Sequence, residues 1–125
     1  MQLDHLILPV NDLAASVDFY TRVLGFTDVG PDGPFHAVRV DDFMLLLSPF
    51  GTDGGTHLAF VVTRDEFDAA FSRIKDAGVP YGFPFDGVGN MAEPSRERSA
   101  RGQGTSIYCN DPNEHLLELL YYDEA

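Results

Sequence analysis

The chain has 125 residues, of which 44% are hydrophobic and 22% charged, and this composition predicts one globular domain rather than a disordered or fibrous chain. Twenty acidic and eight basic residues give a formal charge of −12, a field that argues against nucleic acid and anionic membrane surfaces as partners. The longest fully apolar runs, such as Phe43 to Leu47, are far too short to span a membrane, and the amino terminus has no basic n-region. We therefore expect a cytoplasmic protein.

The sequence contains an internal repeat. A segment that begins at His5 aligns with one that begins at His57, at an offset of 52 residues. The identical positions are His5 and His57, Leu6 and Leu58, Val10 and Val62, and Phe19 and Phe71. We therefore expect a single domain, residues 1–125, made of two modules at about 1–52 and 55–125.

Each module contains one predicted helix with well-marked ends. Asn11 or Asp12 can cap the first helix, and the segment Thr63–Glu66 reads as a capping box at the start of the second. Gly25 and Gly78 follow the helices, where a residue with left-handed backbone is expected.

Strand patterns precede and follow each helix, so each module is predicted to be β-α-β-β-β. The first strands begin at the two repeat histidines. The strands predicted after the helices are Phe26–Val29, Phe35–Val40, Phe43–Ser48, Tyr81–Phe83, Thr105–Asn110 and His115–Tyr122.

The segment Pro84–Gly104 has no clear periodicity and is predicted to be a long loop. Loops of this length often carry function. It contains Arg96, Arg98 and Arg101, three of the seven arginines of an acidic chain. We interpret it as a substrate lid whose arginines contact an anionic or enolisable substrate. The alternative is that they only neutralise nearby acidic surface.

Three residues have the chemistry of a metal site. His5 and His57 occupy equivalent places at the start of each module, and Glu118 lies in an apolar final strand with no lysine or arginine nearby in the sequence. An ionised carboxylate in such surroundings needs a positive partner. Two imidazoles and one carboxylate can hold a divalent metal with positions left open for substrate. Alternatively, the histidines are packing residues and Glu118 lies at a wet sheet edge or pairs with a distant arginine.

The segment from His5 to Phe26 resembles the opening of the vicinal oxygen chelate superfamily, which includes glyoxalase I, bleomycin-resistance proteins, fosfomycin-resistance enzymes and extradiol dioxygenases. The segments His57–Val62 and Ser106–Leu119 are similar to its second-half strand and closing strand. The resemblance implies an α+β fold of two β-α-β-β-β modules in a cupped, eight-stranded mixed sheet. It also implies a divalent metal on His5, His57 and Glu118, and a dimer whose sites often combine modules of both chains.

At several positions this sequence differs from individual members of the superfamily, and these differences reduce the number of reactions expected of it. In the repeat, Leu46 lies opposite Glu118, whereas glyoxalase I has a further glutamate ligand there, which argues against methylglyoxal chemistry. Ile7 stands where fosfomycin-modifying enzymes have threonine, and a single lysine leaves little for a phosphonate or a thiol cosubstrate. Bleomycin-binding members generally lack the metal residues that this chain retains.

Two classes of function remain open from the sequence. The first is a metalloenzyme, using Fe, Mn, Zn or Ni, that acts on a small oxygen-chelating substrate by dioxygenase, isomerase or addition chemistry. The second is a metal-independent protein that sequesters a drug or another small molecule. No general base is singled out by its spacing. A homodimer is expected in either case, because modules of this kind leave strand edges open.

Overall fold

The computed structural model describes residues 1–124, which fall into two compact units. The first unit is Met1–Gly54 together with Pro112–Glu114, and the second is Gly55–Asp111 together with the chain from His115 onward. Each unit carries one β-sheet and one capped helix, so the predicted α+β class is confirmed. No helix of the described chain is long and apolar enough to cross a bilayer.

The first unit has a sheet of four strands in the order β1-β4-β3-β2. Its elements are β1 (His5–Pro9), α1 (Leu13–Asp18), a π-helical segment (Phe19–Val23), β2 (Thr27–Asp32), β3 (Phe35–Val40) and β4 (Phe43–Ser48). β1 runs parallel to β4, and the other pairs are antiparallel.

Asp12 is the cap of α1, since its carboxylate accepts a hydrogen bond from the backbone N–H of Ala15 at 3.0 Å. Beyond Asp18 the predicted helix continues as the π-helical segment, in which the N–H of Leu24 donates to the carbonyl of Phe19 at 3.0 Å. Gly25 then ends the helix with a φ of 87°, as the sequence predicted.

The second unit has a sheet of five strands. Its elements are β5 (His57–Val61), α2 (Arg64–Asp76), β6 (Tyr81–Gly82), β7 (Ser95–Ser99), β8 (Gly102–Asn110) and β9 (Leu116–Tyr122). The order is β5-β9-β8-β6, with β7 also paired to β8, and β5 is parallel to β9.

The strand register reproduces the internal repeat. In the first unit Ile7, two residues after His5, pairs with Leu46. In the second unit the residue two after His57 pairs with Glu118. Leu46 and Glu118 therefore occupy equivalent places, as the sequence alignment predicted.

The prediction of an aperiodic loop over Pro84–Gly104 is wrong for its second half. Ser95–Ser99 form β7, which pairs antiparallel with the start of β8 from Gly102 to Ser106. The segment Ser-Arg-Glu-Arg-Ser is polar at every position, so it lacks the apolar alternation by which a strand is recognised. The structure therefore has one strand more than predicted.

The core of the second unit lies between α2 and one face of its sheet. Phe67 of α2 packs edge-to-face on Tyr121 of β9, and Phe71 packs in the same manner on Tyr81 of β6, each with ring centroids 5.0 Å apart. Side chains alternate between the faces of a strand. The neighbours of Tyr121 in sequence therefore lie on the opposite face, and so does Glu118.

The capping box of α2 gives a testable stability effect. The hydroxyl of Thr63 accepts a hydrogen bond from the N–H of Glu66 at 3.1 Å, and the Glu66 carboxylate accepts one from the N–H of Thr63 at 3.4 Å. Replacing Thr63 with alanine should lower the free energy of unfolding by about 1 kcal/mol in urea denaturation. Ser72→Ala on the exposed side of α2 is the control, and it should be neutral or slightly stabilising because alanine favours helix. Equal losses from both variants would contradict the capping role.

Candidate functional site

The face of the second sheet opposite α2 carries polar side chains from four neighbouring strands. We call this set the polar face; its members are His57 on β5, Glu118 on β9, Ser106 and Tyr108 on β8, and Glu97 on β7. Tyr108 pairs in register with Glu118, and His57 lies two residues before the β5 partner of Glu118. In-register partners and residues two apart share a face of a sheet.

Glu118 is the buried centre of the polar face. It is 4% exposed, and its Oε1 lies 3.2 Å from Nε2 of His57. Its other oxygen accepts a hydrogen bond from the hydroxyl of Ser106 at 2.9 Å. The His57 side chain is 47% exposed, so the pair joins a fixed, buried carboxylate to an accessible imidazole. These are two of the three predicted metal ligands.

Tyr108 and Glu97 form a second pair on this face. The Tyr108 hydroxyl donates to Oε2 of Glu97 at 2.5 Å, and its ring centroid lies 6.2 Å from that of His57. Burial raises the pKa of the Tyr108 phenol well above its usual value, with further contributions from the hydrogen bond to Glu97 and the charge of Glu118. The phenol is therefore protonated throughout the physiological pH range.

His5, the third predicted ligand, lies in the first unit at the start of β1. Its side chain is 49% exposed, and Nδ1 lies 2.7 Å from a carboxylate oxygen of Asp4. Within residues 1–124 the structure contains no group of three or more His, Cys, Asp or Glu side chains that could hold a metal ion. The described chain thus brings together His57 and Glu118 without a third ligand.

The arginines of the predicted lid lie on and after β7. Arg96 and Arg98 flank Glu97 in the strand, so they occupy the face opposite to the polar face. The Arg96 guanidinium forms an ion pair with Asp123, and the backbone N–H of Arg101 donates to the hydroxyl of Tyr122 at 3.1 Å. Arg96 is thus engaged in an ion pair within the unit, and contact of the three arginines with an anionic substrate stays a prediction.

Two further residues of a type that can bind a metal or act as a nucleophile, His115 and Cys109, are buried. His115 is fully buried, and its Nδ1 accepts a hydrogen bond from the N–H of Thr56 at 3.2 Å. Burial raises the pKa of the Cys109 thiol to about 12, with a smaller contribution from the charge of Asp111. A thiol so rarely ionised is a poor nucleophile, and Cys109 also lies on the core face of β8.

Sequence reasoning did not single out Ser106, Tyr108 or Glu97 as site residues. The signal that could have found Ser106 and Tyr108 is the turn between β8 and β9, which fixes the register of the two strands. Glu97 could not have been found in this manner, since its strand was not predicted.

The chain matches the model of the Glyoxalase/Bleomycin resistance protein/Dioxygenase superfamily over residues 2–119. It belongs to this superfamily. The match covers both units, so the superfamily and its fold, which the sequence resemblance indicated, are confirmed.

Similar proteins within the superfamily are named for several different activities. Glutathione transferase FosA of Serratia marcescens is 29% identical over 125 residues, covering 94% of this chain and 78% of that protein. Fosfomycin resistance protein FosX of Listeria innocua is 26% identical over 133 residues, covering 94% of this chain and 86% of that protein. The solved structure of oxidase ChaP-H2 is 30% identical, covers 100% of this chain and 96% of that chain, and superposes with a TM-score of 0.81. Membership of the superfamily therefore leaves the reaction open.

Proposed function

We propose that this protein is a divalent-metal-dependent enzyme acting on a small substrate that offers two oxygens to the metal. The observation that carries the proposal is the state of Glu118, a buried carboxylate held by the Ser106 hydroxyl and lying 3.2 Å from the His57 imidazole. Isolated buried carboxylates are costly, and one oriented by a neighbouring hydroxyl beside an imidazole has the donor chemistry of a metal site.

His57 and Glu118 of one chain would hold the metal, with His5 as the third ligand. We propose that His5 comes from the partner chain of a homodimer. The internal repeat supports this, because His5 takes the place in the first unit that His57 takes in the second. The resemblance to the superfamily also implies sites that combine modules of both chains. A bound divalent ion would supply Lewis-acid chemistry, holding the two substrate oxygens and stabilising negative charge on one of them.

The protein side chains prepare the polar face for this task. Ser106 fixes the orientation of the Glu118 carboxylate, as hydrogen-bonding partners of ligands generally do. The exposed His57 leaves this end of the sheet open to a ligand. The identity of the metal would separate the reactions that the relatives represent, since Fe(II) favours oxygen chemistry and Mn(II), Zn(II) or Ni(II) favours addition or isomerisation.

The first test is the metal content of protein purified without chelator, measured by elemental analysis together with its mass by sedimentation. We expect stoichiometric Fe, Mn, Zn or Ni and a dimer. A protein that contains no metal and has no measurable affinity for these ions would contradict the proposal and favour the metal-independent binding protein.

A mixing experiment tests whether the site is shared between chains. His5→Gln and Glu118→Gln chains should each bind little Zn²⁺ alone, because each lacks one ligand of every site. Heterodimers of the two variants should regain half of the wild-type Zn²⁺, since one of their sites combines only intact ligands. Failure of the mixture to regain metal, with heterodimers shown to form, would refute a shared site.

A further inference from the structure

The polar face offers hydrogen-bond acceptors and no free donor beside the predicted metal ligands. A phenol has one O–H donor, and Tyr108 uses it in the 2.5 Å hydrogen bond to Glu97. The Tyr108 oxygen therefore turns its lone pairs, and not its proton, toward any neighbour. Glu97 is an acceptor as well while it is ionised.

Glu97 has no cationic neighbour on its own face of β7, where the other residues of the strand are Ser95 and Ser99. The ion pairs among residues 1–124 include none to Glu97, and the arginines on either side of it lie on the opposite face of β7. Of those two, Arg96 is engaged by Asp123. An anionic group placed beside Tyr108 would face the Glu97 carboxylate without an intervening arginine or lysine side chain from β7, which is unfavourable in a partly buried setting.

We propose that the Glu97–Tyr108 pair determines specificity, selecting a substrate that carries a hydroxyl or ammonium group beside its metal-chelating oxygens and rejecting an anionic group there. The inference rests on the proposed function, because it places the pair next to the metal-bound substrate. A donor group on the substrate would bond to the Tyr108 oxygen or to Glu97. A phosphonate or carboxylate would find neither a side-chain donor nor a side-chain cation of the pair at this position.

Three catechols of equal ring size serve as probes, with 4-substituents that end in an ammonium (2-aminoethyl), a hydroxyl (2-hydroxyethyl) or a carboxylate (carboxymethyl). Their dissociation constants are measured by calorimetry on Zn²⁺-loaded protein at physiological salt, where distant surface charge is screened. We expect the ammonium and hydroxyl probes to bind about tenfold more tightly than the carboxylate probe.

Two variants separate the pair from the general negative charge of the chain. Glu97→Gln should bring the ammonium and carboxylate probes to within about twofold of each other. Glu93→Gln removes the same charge from an exposed position in the same segment and should leave the tenfold preference intact. Tyr108→Phe should reduce the binding of the hydroxyl probe, because the phenolic acceptor is lost.

The outcomes separate this inference from the proposed function. Zn²⁺ binding with equal affinity for all three probes, or a preference that survives Glu97→Gln, would overturn the inference and leave the metal site in place. Absence of Zn²⁺ binding would refute the metal site. The same titrations on metal-free protein would then show whether the ammonium and hydroxyl probes bind more tightly than the carboxylate probe. Failure of every probe to bind in both forms would overturn the inference.

Discussion

Replacing Glu118 with glutamine is expected to weaken Zn²⁺ binding by about 100-fold or more, since even the partners that orient a ligand contribute 10–100-fold to metal affinity. Glutamine keeps the size of the side chain and an oxygen that can accept from Ser106, so the change is confined to charge and donor strength. Competition with a chromophoric chelator measures the affinity.

The same variant should be at least as stable as the wild type when both are free of metal. Glu118 is 4% exposed, and within residues 1–124 its only ion-pair partner is His57, whose imidazole carries no charge when unprotonated. Removing a buried charge relieves its desolvation cost. A large loss of stability together with the loss of metal affinity would instead indicate that Glu118 supports the fold.

Asp28→Asn is the matched control for Glu118→Gln. Asp28 forms the other His–carboxylate contact of this kind on a sheet, lying 2.6 Å from Nε2 of His36 in the first unit. It has no equivalent of the Ser106 hydrogen bond, and its side chain is half-exposed. The Zn²⁺ affinity of Asp28→Asn should equal that of the wild type, and a comparable loss there would mean that the assay reports general electrostatics.

The fold could be predicted mainly from local patterns in the sequence. The capping box, the glycines that end the helices and the apolar strands are short-range signals, and each has its predicted place in the structure. The internal repeat added the equivalence of Leu46 and Glu118, which the strand register reproduces. The need of Glu118 for a polar or positive partner could also be predicted, because an unpaired carboxylate in an apolar strand is costly.

The features that the sequence did not predict depend on contacts between separate segments of the chain, which no local sequence pattern indicates. β7 is polar on both faces, so its own sequence has no strand pattern, and its strand conformation depends on backbone pairing with β8. The bond from Tyr108 to Glu97 follows from that pairing and could not be predicted without it. The hydrogen bonds of Asn113 are a third case, because they join residues about a hundred positions apart in the chain.

Asn113→Ala should lower the free energy of unfolding by about 3 kcal/mol, because it removes the hydrogen bonds of the Asn113 amide and leaves buried partners unpaired. Asn113 lies in the turn between β8 and β9 and is buried within the first unit. Its Oδ1 accepts from the N–H of Asn11 at 2.8 Å, and its Nδ2 donates to the hydroxyl of Ser16 at 3.1 Å. Ser16 is fully buried, so water cannot replace the amide without a local rearrangement.

Urea denaturation of Asn113→Ala and Asn110→Ala compares one substitution at two places around the same turn. Asn110 ends β8 and is half-buried, so its loss should cost less than about 1 kcal/mol. Asn113→Asp keeps the oxygen that accepts from Asn11, and the Ser16 hydroxyl can donate to its carboxylate, so its stability should fall between the other two. If Asn113→Ala unfolds no more readily than Asn110→Ala, the turn does not depend on the Asn113 amide, and the apolar core of the first unit alone stabilises it.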